Sequence, residues 1–285
     1  MIAEKKPLSA GLYFVATPIG TARDITLRAL DVLASADVLA AEDTRTLRHL
    51  MEIHGVPLGD RHVIAYHDHN GPEVRPRLLQ AIRDGKSVAY ASEAGTPLVA
   101  DPGFALARDA IAEGLPVTSA PGPSAVLAAL TISGLPSDRF LFAGFPPAGK
   151  GARESFLAEL ADCPATLIFY ESPKRVCRLL GELRDSLGEG RQAAVCRELT
   201  KKFEEVRRGT LAHLAQEFEG RSVKGEVVVL VDRPREAASA DDLDAALEEA
   251  MKTMTMKDAV AAVAGALNLP RRQVYQAALT RGKAK

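Results

Sequence analysis

Between residues 12 and 120 the apolar positions alternate between two patterns. Short β-branched or alanine-rich runs, "LYFVAT", "DVLAAE", "HVIAY", "SVAYAS" and "PVTSA", read as buried strands. Between them, "DITLRALDVLASA", "RTLRHLMEIHG", "EVRPRLLQAIRDG" and "GFALARDAIAEG" space their apolar residues three and four apart, as helices with one face on a core do. Gly55, Gly85 and Gly114 stand where a glycine just past the last turn ends a helix. Strand–helix alternation of this kind predicts an α/β domain with a mostly parallel sheet covered on both faces.

The pattern changes after "APGPSAVLAALTISGLPSDR". The strands "FLFAGF", "ATLIFYES", "QAAVCREL", "FEEVRRG" and "GEVVVLVD" have helices between only some of them, which predicts a second α/β domain with a mixed sheet. A helix over 123–133 bridges the two. "RPREAASADD" then reads as a polar linker. Beyond it "LDAALEEAMKTM", "MKDAVAAVAGALNL" and "RRQVYQAALTRG" are three short helices. Their spacing is that of a helix-turn-helix, and a small docking bundle is the competing reading. The expected domains are 1–121, 122–234 with the mixed sheet, and a helical segment at 235–285.

A chain of 285 residues, 47% of them apolar, has length and core for this arrangement. Cys163, Cys177 and Cys196 form no CxxC and sit in apolar contexts, so they are expected as buried free thiols, with no metal site. "MIAEKKPLSAG" has no apolar stretch behind its charges, and no apolar run reaches the roughly 18–20 residues of a membrane span. The expectation is a cytoplasmic protein with no membrane partner. A net charge of −1 gives no bulk attraction to nucleic acid, so a polyanion would have to be met by local patches.

In parallel sheets ligands bind beyond the carboxyl ends of the strands. Those ends are "TPIGT", "EDTR", "YHDHN", "SEAGTP" and "APGPS". "TPIGTARD" has one glycine where a dinucleotide fingerprint has three, and Pro18 removes a donor, so a pyrophosphate cradle fits poorly. Asp24 is expected to cap the next helix. Glu93 lies on a tight turn with Gly95 and Pro97, and Gly122 lies between two prolines. Three stiff turns around one crevice suit a compact, folded ligand read by backbone groups.

With "LYFVATPIG…DITLRAL", "AEDTR", "YHDHN", "EAGTPLVADPG", "PGPSA", "GLPSDRFLFAGFPP", "FYESPKRV", "CRELTKKFEE" and "KGEVVVLV" in order, residues 12–232 resemble the ribosomal RNA small-subunit methyltransferase I family. That family is a branch of the tetrapyrrole-methylase (class III) group of S-adenosylmethionine enzymes. The resemblance implies two α/β domains with S-adenosylmethionine folded in the cleft between them. It also implies a homodimer and methyl transfer to the ribose 2′-hydroxyl of a decoding-centre cytidine in 16S rRNA, in an assembling or assembled 30S particle, with no role for DNA. Cofactor contacts carry over onto Thr17, Pro18, Ile19 and Gly20, onto Ser92, Glu93, Ala94, Gly95, Thr96 and Pro97, and onto Pro121, Gly122, Pro123 and Ser124. In the second domain they fall on Phe169, Tyr170, Leu199, Lys224, Gly225 and Glu226. Two departures stand out: Thr21-Ala22 where the family has Asn-Leu, and Glu93 where it has Asp.

A ribose hydroxyl is a poor nucleophile at neutral pH and benefits from a base and an oriented approach. The mouths of the second and third strands offer Glu42, Asp43, Arg45, His67, Asp68 and His69. Asp43, Arg45 and His67 are the candidate catalytic residues, with an ion-paired scaffold or phosphate clamp as the competing reading. Candidate RNA contacts are Arg45, His69 and Asn70, joined by Lys174, Arg175, Arg197 and Lys201 of the second domain. Lys202 extends that basic patch, with a solvated charged face as the competing reading for it and for Arg207 and Arg208, and Glu204 and Glu205 beside them point to cross-strand pairing. Arg271, Arg272, Arg281, Lys283 and Lys285 give the last helices a basic bias, consistent with an auxiliary RNA contact. Two other functions compete: a class III methylase for a tetrapyrrole or a protein side chain, and a cofactor-binding module without catalysis. The absence of Trp and the few aromatics weigh against a porphyrinoid acceptor.

Overall fold

The computed structural model describes residues 3–67, 69–100, 102–234, 240–267, 269 and 271–282. β1 (Gly11–Val15), β2 (Val38–Ala41), β3 (Val63–Ala65), β4 (Ser87–Ala91) and β5 (Val117–Ala120) form an all-parallel sheet in the order β3-β2-β4-β1-β5. β4 lies at the centre and is buried along its whole length, which is why its sequence shows no polar alternation. Val15, Leu39, Ala41, Ala89 and Ala91 face α1 (Leu27–Ser35) and α2 (Thr44–Ile53). Leu12, Phe14, Ala40, Val88 and Tyr90 face α3 (Gly71–Arg83) and α4 (Phe104–Ala112). All five carboxyl ends therefore open on one edge.

Local chemistry sets the helix ends. Gly55, Gly85 and Gly114 follow α2, α3 and α4 with φ of 64°, 82° and 70°, the left-handed step glycine takes without strain. The expected cap at Asp24 is corrected: Thr26 caps α1, its hydroxyl accepting from the Ala29 amide at 3.1 Å. Asp24 sits two residues too early, its own amide bonded to the Thr21 carbonyl at 2.9 Å.

The second sheet is mixed, as its sequence predicts. β6 (Phe140–Gly144), β7 (Thr166–Glu171), β8 (Gln192–Arg197), β9 (Glu205–Thr210) and β10 (Val227–Val231) run in the order β6-β7-β10-β8-β9. Only β6 and β7 are parallel. α6 (Lys150–Glu159), α7 (Val176–Leu187) and α8 (Leu211–Phe218) cover one face around Leu157, Leu180, Leu214 and Phe169. α5 (Ala125–Ser133), the bridging helix, covers the other. Ile19, from the turn after β1, packs into that second core with Val126, Leu199 and Val228. All three cysteines are free thiols; Cys196 is buried, which pushes its thiol up to about 12, whereas Cys163 and Cys177 are only half-buried.

Contacts divide the chain after Arg233. The C-terminal unit contains α9 (Ala240–Met251), α10 (Met256–Leu267) and α11 (Arg271–Gly282) around Leu243, Leu247, Val260, Val263, Val274 and Ala278. Among the described residues no helix is long and apolar enough to cross a membrane. Of the basic residues singled out near the end of the chain, Lys283 and Lys285 lie outside the described residues.

Candidate active site

β1 delivers "TPIG" to the edge where the turn after β4 also arrives, and the two turns are tied together. The Thr17 amide donates to the Gly95 carbonyl at 2.9 Å, and the Gly95 amide returns a bond to the Thr17 carbonyl at 3.0 Å. The Thr17 hydroxyl reaches the Ser92 carbonyl at 3.2 Å, and the Ser92 hydroxyl donates to the Gly95 carbonyl at 2.6 Å. Thr17 and Ser92 are buried, so their side chains hold the rim rather than face out of it. Gly95 has φ of 82°, and a Cβ there would press on Ile19 Cγ2 at 3.2 Å.

The third turn joins the same rim. The Thr96 hydroxyl donates to the Pro123 carbonyl at 2.9 Å, and the Thr26 hydroxyl to the Pro121 carbonyl at 3.3 Å. A Cβ at Gly122 would meet that of Ala16 at 3.0 Å, so backbone passes backbone closely. Pro18 is half-buried and Pro97 buried beside these bonds.

Across the cleft stands the second domain. A Cβ on Gly20 would fall 2.5 Å from Lys201 Cγ and 2.9 Å from the Leu199 carbonyl, so glycine is what lets the first turn dock there. The Thr21 amide donates to Thr200 Oγ1 at 3.1 Å, and the Thr21 hydroxyl donates to the Thr200 carbonyl. Glu198 and Thr200 adopt φ of 52° and 62°, uncommon for residues with side chains. Glu198 Oε1 accepts from the Glu226 amide and from Lys201 Nζ, both at 3.0 Å. These bonds, the Glu226 amide first, hold its carboxyl below the usual range.

The cleft measures about 390 Å³. Ile19, Glu93, Ala94, Gly95, Thr96 and Ser124 line it from the first domain; Tyr170, Gly225 and Glu226 line it from the second. Glu42 and Phe145 line it as well, and the rings of Phe142 and Phe145 stand edge-on to Tyr170 at 4.8 Å and 5.5 Å. Phe169 is placed differently from its neighbour. Its side chain points to the opposite face of β7, fully buried against Phe156, and only its backbone borders this side. Lys224 is exposed and Leu199 buried, both next to the lining residues.

At the mouths of β2 and β3 the candidates separate by role. Asp43 caps α2, accepting from the Arg45 and Thr46 amides at 2.7 Å and 3.2 Å, and it pairs with the Arg45 guanidinium at 3.2 Å. These bonds, the Arg45 side chain first, hold its carboxyl below the usual range. His67 presents a buried Nδ1 that has no partner among the described residues, and its ring meets the exposed His69 ring edge-on at 6.0 Å. Asn70 is occupied within the loop: Oδ1 accepts from the His67 amide and Nδ2 donates to the Ala65 carbonyl, both at 2.9 Å. Asp68 lies outside the described residues.

Three of the cations expected to contact RNA from the second domain stand in ion pairs. Arg175 pairs with the fully buried Glu171 at 2.7 Å, Arg197 with Glu205 at 3.0 Å, and Lys201 with Glu198 and Glu226 at 3.0 Å and 2.9 Å. Each of these cations has a carboxylate partner, while Lys174 is exposed. Glu205 also binds Arg221 and Arg207 at 2.8 Å, and the Arg197–Glu205 pair is a direct cross-strand partnership of β8 and β9.

Sequence reasoning missed Arg153. Its buried guanidinium bonds Glu171 at 2.7 Å, Glu182, and the Pro147 carbonyl at 3.3 Å, fastening the loop that carries Phe145 to the end of β7. The signal was a charged residue on the apolar stripe of α6, four positions before Leu157.

Known proteins are similar to this chain in sequence and in fold. Residues 11–215 match the family model for Tetrapyrrole (Corrin/Porphyrin) Methylases, and residues 237–282 that for the RsmI C-terminal HTH domain. The solved structure of the methyltransferase CobJ superposes with a TM-score of 0.61 at 21% identity, over 80% of this chain and 97% of its own, which speaks to fold alone. The two sheets and their turns thus make a tetrapyrrole-methylase fold. The ribosomal RNA small subunit methyltransferase I of Mesorhizobium japonicum is 52% identical over 84% of this chain and 80% of its own length. That of Vibrio cholerae is 42% identical over 93% of each. The chain belongs to the ribosomal RNA small subunit methyltransferase I family.

Proposed function

We propose that this protein uses S-adenosylmethionine to methylate the ribose 2′-hydroxyl of a decoding-centre cytidine in 16S rRNA. Its acceptor is the assembling or assembled 30S particle, and it works in the cytoplasm as a homodimer. The observation that carries this reading is the rim of three tied turns facing Tyr170 and Gly225-Glu226 across one cleft, in a chain of this family.

The donor set fits the cofactor. Gly95 and Gly122 leave room where a Cβ would crowd the rim, and the turns present backbone groups fixed by neighbouring bonds. Ile19, Ala94, Thr96, Ser124, Tyr170 and Gly225 would hold it, with Glu93 and Glu226 as carboxylates near its polar groups. When bound, S-adenosylmethionine supplies a methyl group activated by a positively charged sulfur. The remaining work falls to the chain's own residues. Tyr170 and its aromatic neighbours exclude water from one wall. His67, at the mouth of β3, takes the proton of the ribose hydroxyl. Asp43 is committed to its cap and to Arg45, so it orients the exposed arginine toward a phosphate instead of acting as base.

The test is incorporation of labelled methyl from S-adenosylmethionine into small subunits isolated from cells lacking the enzyme. Label in 16S rRNA at a ribose supports the reading. No label in rRNA, with the cofactor bound, leaves only a binding module.

A further inference from the structure

Arg175, Arg197 and Lys201 of the second domain are held in ion pairs; the cations of the C-terminal unit are arranged differently. A groove of about 610 Å³ runs between the starts of α10 and α11. Its floor is Met256, Val260 and Ala261, and Lys257, Arg271, Arg272 and Tyr275 stand around it. The three cations are exposed, and none is in an ion pair with a described carboxylate. Tyr275 leaves 45% of its surface in solvent.

Charge is segregated within this unit. Asp241, Asp242, Asp244, Glu248 and Glu249 all belong to α9, and Glu249 pairs with Lys252 at 2.6 Å. Asp258, the acidic residue of α10, accepts from the Thr255 hydroxyl at 2.7 Å in a helix-capping arrangement and does not line the groove. The groove is therefore lined by positive charge and one exposed aromatic ring over an apolar floor. An exposed ring beside converging cations is the chemistry that holds a single nucleic-acid strand, with a base stacked and its flanking phosphates bound.

We infer that this groove binds a single-stranded RNA segment, with a base on Tyr275 and phosphates on Lys257, Arg271 and Arg272. The inference rests on the reading that the substrate is RNA, and it adds a second contact surface outside the methyl-transfer cleft.

The experiment uses the full chain without cofactor and a fluorescent oligouridylate of about 12 nucleotides, with affinity read by anisotropy across a salt series. The double variant Arg271→Gln/Arg272→Gln is expected to bind about tenfold more weakly at low salt. Its salt slope should fall by about 1.4, the loss of two phosphate contacts at roughly 0.7 each. Tyr275→Ala should weaken binding about tenfold with the slope unchanged, and Tyr275→Phe should keep wild-type affinity. Unchanged affinity and slope in the arginine variant would overturn the inference, as would tighter binding of duplex DNA of equal length. The two readings fail separately. Methylated subunits with no effect of these variants on oligouridylate binding removes this surface alone. Oligouridylate binding that depends on them, without any rRNA methylation, keeps the surface and removes the catalytic reading.

Discussion

Thr21 donates twice to Thr200 across the cleft, amide to hydroxyl at 3.1 Å and hydroxyl to carbonyl. The pair stands where this chain has Thr-Ala in place of its family's Asn-Leu, and it fixes the left-handed Thr200 beside Leu199. One neutral hydrogen bond contributes about 1 kcal/mol net, or about fivefold in affinity. Thr21→Val, which keeps the amide bond and removes the hydroxyl, is expected to weaken S-adenosylmethionine binding by about that factor. Titration calorimetry on Thr21→Val, Thr200→Val and the double variant checks it. Coupling between the two sites is the expected result, and simple additivity contradicts the clasp.

Gly225 is under two constraints, a φ of 87° and the carboxylate of Glu198 where its Cβ would go, 2.3 Å from Oε1. Gly225→Ala must displace Glu198, and with it the Glu226 amide on the cleft wall. Loss of cofactor affinity by tenfold or more is expected, roughly 1.4 kcal/mol or above. Adding Glu198→Ala should restore part of it, because the clash then has no second partner.

Glu205 sets an acid limit on stability. Arg221 first, then Arg197 and Arg207, lower its carboxyl from 4.5 to about 2. A group lowered on folding contributes fully above its unfolded value and loses that contribution as pH falls through its folded one. The window is therefore about pH 4.5 down to 2. Glu205→Gln should lower stability by about 2–3 kcal/mol at pH 7. The gap from wild type should narrow at pH 3, measured by urea unfolding at both values.

Arg153 fastens the Phe145 loop through buried charges, so removing it takes one of two arginines from the buried Glu171. Arg153→Met is expected to cost about 3 kcal/mol of stability, with part recovered in Arg153→Met/Glu171→Gln. Chemical denaturation of the two variants distinguishes this from a simple loss of packing, which the second change would not repair.

The strands and the turns at their mouths were readable because each rests on a local pattern. β4 is uniformly apolar for want of a solvent face, and the Gly-Pro turns carry their stiffness in composition. Facing and pairing were not readable. "LIFY" in β7 is apolar on both sides, so nothing in it tells that Tyr170 meets the cleft while Phe169 is buried behind it. Arg175, Arg197 and Lys201 read as a basic patch because their carboxylate partners, except for Glu171 and Glu198, lie eight or more residues away along the chain. Asp24 and Thr26 are both good caps in sequence, and only the turn closed by Thr21 and Asp24 decides between them.

The most direct test of the central claim is a map of ribose 2′-O-methyl groups in 16S rRNA from cells with and without this protein. The account predicts one decoding-centre cytidine that loses its 2′-O-methyl group without the protein and regains it on complementation. An unchanged map would contradict it.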